Sequence, residues 1–207
     1  MGDHTPEPDQ CEVVMISTTA STRQHRRYVT NIIKVWNEAT DDQLARGRTW
    51  YRTAHDLADL MSEGNVTAGA GVIAALSAQK SWALNTRMAH RAFATGALYG
   101  HTSDALGKAA KILAGTDPAE VLPMTLKTGN FYRTILDPED PEAVVVDRHA
   151  HDVAVGRRYG QQPRGLHNKT RYATVAHAYR EAARRLGEIP STVQAVTWLV
   201  QSEGRQS

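Results

Sequence analysis

Residues 67–79 read TAGAGVIAALSAQ, and from Ala68 to Leu76 every position is apolar or glycine. A helix that is apolar nearly all round has no face to offer water, so this segment is expected to be a central, buried helix. The neighbouring segments carry only one apolar stripe each. Ser21 to Glu38 places Val29, Ile32, Ile33 and Trp36 at helical spacing, and the segment after Thr40-Asp41-Asp42 places Leu44, Trp50, Tyr51, Ala54, Leu57, Ala58 and Met61 likewise. Thr40-Asp41-Asp42 supplies the short polar side chains that cap a helix start.

Further helices are expected from Trp82 to Ala97, Ser103 to Ala114, Lys127 to Leu136, Asp147 to Arg158, His167 to Leu186, and from Pro190 onward, with one turn at Ala119 to Leu122. The β-branched run Val144-Val145-Val146 predicts a short extended piece before Asp147. The fold class is therefore all-α, with nine or ten helices. At 41% hydrophobic and 22% charged residues the chain is expected to bury a core, and an aromatic share of 6% leans away from a sandwich or barrel. Residues 1–14, polar and with two early prolines, are expected to be a disordered tail, and residues 15–207 one helical domain in two lobes.

Composition also narrows chemistry. Cys11 is the single cysteine, which excludes an internal disulfide, a four-cysteine iron–sulfur cluster and a structural zinc site. No apolar run approaches the roughly 20 residues of a membrane span. A cytoplasmic protein without cofactor, metal or membrane partner is the expectation. His149, His151 and Asp152 lie close in sequence, but positions i and i+2 of a helix face different ways, so they are not read as a metal site. No P-loop, Rossmann glycine pattern or serine-hydrolase elbow is present.

Net charge is only +2, yet Arg148, Arg157, Arg158, Arg164, Lys169, Arg171, Arg180, Arg184 and Arg185 gather in the C-terminal third. Such a cluster could follow a phosphate backbone.

Three ordered segments carry a resemblance. Ala75-Leu76-Ser77-Ala78-Gln79 resembles an L-L-S-A-Q segment, Leu122-Pro123-Met124-Thr125-Leu126-Lys127-Thr128 resembles L-P-G-x-G-x-K-T, and Val145-Val146-Asp147-Arg148-His149 resembles V-D-x-H. Lys127 and Asp147 stand 20 positions apart. Together these segments are similar to the helix-hairpin-helix DNA glycosylases, the endonuclease III and 8-oxoguanine glycosylase superfamily. The similarity is to a divergent branch of the kind found in phage and actinobacterial genomes.

The resemblance implies a two-lobed helical fold with its core at about residues 66–158. It also implies a degenerate hairpin, since Met124-Thr125-Leu126 stands where the family has glycines. Double-stranded DNA is the implied partner, and a base flipped out of it the implied substrate. Asp147 would steady positive charge on the sugar as the glycosidic bond breaks. Lys127 would be the amine nucleophile of a lyase step. Gln79 would fill the gap left by the flipped base, and Thr128, Arg148, His149, Arg157, Arg158, Lys169 and Arg171 would hold DNA. Trp82, Phe131, Tyr132 and His151 could stack on a base, although such residues more often pack a core. The alternatives are a transferase modifying DNA bases on the same scaffold and a DNA-binding protein without chemistry.

Overall fold

The apolar segment forms α3 (Val66–Ala75), buried from Gly69 to Ala75. In this computed structural model the backbone is described for residues 8–204 and the side chains for residues 21–204. Of the tail expected over residues 1–14, residues 1–7 lie outside the described residues, and α1 is Pro8–Asn37. The helix α3 ends at Ala75 with Leu76 as its cap, short of the expected Gln79. The sequence turns polar there, and the Ser77 hydroxyl donates to the Ala74 carbonyl at 2.8 Å, satisfying backbone that a further turn would have used.

Helices α2 (Asp41–Met61), α4 (Trp82–Thr95), α5 (Ser103–Leu113), α6 (Pro118–Val121) and α7 (Lys127–Leu136) pack around α3. The second helix opens with a complete capping box, Thr40 and Gln43 each bonding the other's backbone N–H. It reaches α3 at Gly69, where a Cβ would collide with the Ala58 carbonyl. Ile73, Leu76, Met88, Ile112 and Ile135 belong to the hydrophobic cluster these helices bury.

A second cluster joins the two ends of the chain. Val29, Ile32 and Trp36 of α1 meet Val153 of α8 (Arg148–Val155) and Tyr172, Val175 and Tyr179 of α9 (Lys169–Leu186). The last helix, α10 (Pro190–Glu203), serves both clusters: Ala195 belongs to the first, Val193 and Val196 to the second. The fold is all-helical, with no strand among the described residues.

Between the clusters run residues 143–146, buried and without helix or strand. Val144 and Val146 pack into the second cluster and Val145 into the first, the alternation an extended chain produces. The β-branched run thus lines the seam. Two expected boundaries shift nearby. The eighth helix ends at Val155 because Gly156 adopts a left-handed conformation (φ 77°), so Arg157 and Arg158 sit in the following loop rather than on a helix. The ninth begins at Lys169 behind an Asn168 cap. No helix among the described residues is long and apolar enough to cross a membrane.

Candidate functional site

Asp147 ends the seam and caps α8. Its Oδ1 accepts the backbone N–H groups of His149 and Ala150 at 2.8 and 2.9 Å. Its Oδ2 has no hydrogen-bond partner among the described residues, and the side chain is half-buried. The helix N-terminus favours a negative charge here. Three buried tyrosines feel that charge. Burial, then the Asp147 carboxylate, pushes the Tyr51 phenol well up. Burial is likewise the main cause of the upward shifts at Tyr172 and Tyr179, with Asp147 adding to both.

Lys127 and Thr128 form the first turn of α7, half-buried. The cap position, Leu126, offers no side-chain hydrogen bond, so the first N–H groups of this helix have no side-chain acceptor. Helix α6, the turn and α7 make a hairpin without turn glycines. The close approach instead comes at Gly129, where a Cβ would strike the Met124 backbone. Asn130 then holds the hairpin to the seam. Its Nδ2 donates to the Leu126 carbonyl at 2.9 Å, and its Oδ1 accepts the Val144 N–H at 3.3 Å. The elements bearing Lys127 and Asp147 are thereby joined. The two side chains make no ion pair or hydrogen bond with each other among the described residues.

Gln79 is exposed in the α3–α4 turn with φ 57°, a left-handed conformation uncommon for residues other than glycine. Behind the turn, Trp82 packs on Trp50 (ring centroids 5.0 Å apart) and on Phe131 (6.4 Å). Tyr51 also meets Phe131 edge-on. Nothing in the sequence marks Trp50 and Tyr51 as site residues, because both fall on the inward stripe of α2 and look like ordinary core. Tyr132 is buried in the first cluster. His151 is buried too, against the Tyr159 ring and bonded to Asp152. Neither is placed to stack on a base. Asp152 also takes two bonds from Arg164, both 2.7 Å, and the Tyr159 N–H. Burial alone would raise the Asp152 carboxyl, but these bonds outweigh it and hold it below the usual range.

The basic residues divide in two. Arg164, Arg180, Arg184 and Arg185 are each paired with a carboxylate. Arg148, Arg157, Arg158, Lys169 and Arg171 are exposed and form no ion pair among the described residues. His149 does not share their surface. It is buried edge-on to Trp198, with its Nε2 accepting from Arg148 at 3.1 Å, so it holds Arg148 and does not itself face outward. Among the described residues no three His, Cys, Asp or Glu side chains gather to hold a metal.

A family model covers residues 15–206. The chain belongs to DUF7178, a family of unknown function. No curated protein and no solved structure matches it. The DUF7178 match runs through both hydrophobic clusters and the seam between them, so Asp147 and the hairpin lie inside the family's unit.

The DUF7178 chain also has a small pocket, with a volume of about 80 Å³, between α2, the 138–139 loop and the start of α10. Neither Lys127 nor Asp147 lines it. Ligand pockets for drug-sized molecules run from about 300 Å³ upward, so this one admits only a small group.

Proposed function

We propose that this DUF7178 chain acts on duplex DNA as an N-glycosylase of helix-hairpin-helix type, with Asp147 as the carboxylate and Lys127 as the amine of a lyase step. As the base departs with the bonding electrons, the sugar gains positive charge, which a fixed carboxylate stabilises. Asp147 carries the reading: one oxygen is held by backbone N–H groups and the other has no protein partner among the described residues, at a helix start between two packed clusters. The fixed oxygen orients the side chain, and the other remains available to the sugar or to a water.

Other features support the same reading. The start of α7, with Thr128 and without a side-chain cap, suits a DNA phosphate. The exposed group of Arg157, Arg158, Lys169 and Arg171, without ion pairs among the described residues, suits a phosphate backbone. The exposed Gln79, on a tight left-handed turn, suits a wedge for a strand losing a base. A DNA-binding protein without chemistry is the second reading, favoured by the absence of Lys127 and Asp147 from the pocket lining.

The test is incubation with duplex oligonucleotides carrying damaged, mismatched or abasic positions, read by strand cleavage after alkali and by borohydride trapping. Base release abolished in Asp147→Asn, and a trapped adduct lost in Lys127→Ala, is the expected result. Duplex binding with no base release from any substrate, unchanged in Asp147→Asn, would leave only the second reading.

A further inference from the structure

The start of α10 faces the small pocket in an unusual state. Its cap position, Ile189, gives no side-chain hydrogen bond, and Pro190 has no N–H. The next two N–H groups, on Ser191 and Thr192, have no acceptor among the described residues, while the Val193 N–H already returns to Ile189 at 3.2 Å. Such orphan donors at a helix start normally find a side chain or water. Here the residues carrying them are 1% and 4% exposed. The Thr192 hydroxyl, on the wall of the same pocket, is likewise without a partner among the described residues.

Two cations complete the wall. Arg48 and Arg52 enter it from one side of α2, each with its head group held by an acid, Arg48 by Glu188 at 2.7 Å and Arg52 by Glu139 at 2.6 Å. Gly47 brings them close, since any Cβ there would collide with Val196 of α10. Both arginine side chains are more than half exposed, so each can turn from its carboxylate to an anion in the pocket. Glu188 and Glu139 balance the two guanidiniums, so an anion enters the pocket by displacing a carboxylate from its arginine.

We infer that this pocket is a binding site for a phosphate-type oxyanion, held by the Ser191 and Thr192 N–H groups, the Thr192 hydroxyl and the Arg48 and Arg52 guanidiniums. The volume of about 80 Å³ suits one such group and little more. Helix-terminal N–H donors, a hydroxyl and forked guanidiniums are the donor set that tetrahedral oxyanions take. The inference stands apart from the glycosylase reading, because it uses neither Lys127 nor Asp147.

Titration calorimetry of inorganic phosphate into the full chain tests it. Saturable binding of one phosphate is expected, weaker by about tenfold or more in the double variant Arg48→Gln/Arg52→Gln. Thr192→Val is expected to weaken it by about fivefold. The arginine variant changes exposed side chains, so it reports even if Thr192→Val fails to fold. A second arm adds a saturating duplex oligonucleotide first. Loss of phosphate binding then assigns the site to a DNA phosphate, and retained binding assigns it to free phosphate. No saturable binding, or equal affinity in wild type and the arginine variant, overturns the inference.

Discussion

Asn130 reaches across the seam to Val144: its side-chain oxygen accepts the Val144 N–H at 3.3 Å. On its other side its amide nitrogen donates to the carbonyl of Leu126, the residue before Lys127. One buried side chain therefore sets the start of α7 against the segment that delivers Asp147, whatever chemistry the pair performs.

Asn130→Ala leaves the buried Val144 N–H without a partner, at a cost of about 1–3 kcal/mol. The urea midpoint should fall accordingly with an unchanged slope. Asn130→Asp keeps the acceptor but turns a carboxylate oxygen onto the Leu126 carbonyl in a buried site, so its midpoint should fall at least as far as that of alanine. A midpoint unchanged in Asn130→Ala would show that the bond does not fix the seam.

Gly129 is the second test of the hairpin. A methyl group there would press on the Met124 backbone, which cannot move aside as a flexible side chain would. Gly129→Ala would gain helix propensity on an exposed helix. Here overpacking should dominate and destabilise by about 1–3 kcal/mol. A thermal melt at or above wild type would mean that the turn yields freely.

Most of the helix pattern was legible in the sequence, because apolar spacing and the Thr40 cap are local signals; the end of α4 at Gly96, one residue short of the expected Ala97, was not read. The misplaced ends fall where a long-range or side-chain effect decides. Ser77 ends α3 with a side-chain bond, and Gly156 ends α8 against the side chain of Asn31, which donates to the Ala154 carbonyl from another helix. The site was legible as residue types and order, but not as surroundings. His149 and His151 look alike in sequence, yet both are buried, one behind Arg148 and the other under Tyr159. Nor could the charge count distinguish Arg157 and Arg158 from Arg184 and Arg185. The latter two share Glu181, only three and four residues away on the same helix.

That difference makes a prediction about DNA. If Arg157, Arg158 and Lys169 hold a phosphate backbone, replacing all three by Gln should lower affinity evenly across sequences. The slope of log K against log salt should flatten by about 0.9 for each phosphate that is no longer neutralised. Arg184→Gln and Arg185→Gln should change little, since Glu181 already holds both at 2.8 and 2.7 Å. Fluorescence anisotropy with a labelled duplex over a salt series measures both. Equal effects from the two sets would remove the distinction.

Acid sensitivity should come partly from the packing of α1 on α9. The His25 and His177 rings lie 4.6 Å apart across it. Burial, then the neighbouring His177, holds His25 below its usual 6.5, with Arg185 acting in the same direction and Glu181 opposing. His151 is lowered as well, by burial against the opposing pull of Asp152. A lowered histidine is neutral in the fold while its unfolded counterpart takes up a proton, so the unfolded state binds more protons as pH falls through 6.5. The stability is therefore present above that pH and declines progressively towards the folded value. Melting temperature should drop between about pH 7.5 and 5.5, and the drop should be smaller in His25→Gln, where one of the two lowered histidines is gone. His177→Gln should reduce it too, by removing a neighbour that lowers His25 while leaving His25 buried. Thermal melts of the three proteins at both pH values measure this, and an identical drop in all three would place the acid sensitivity elsewhere.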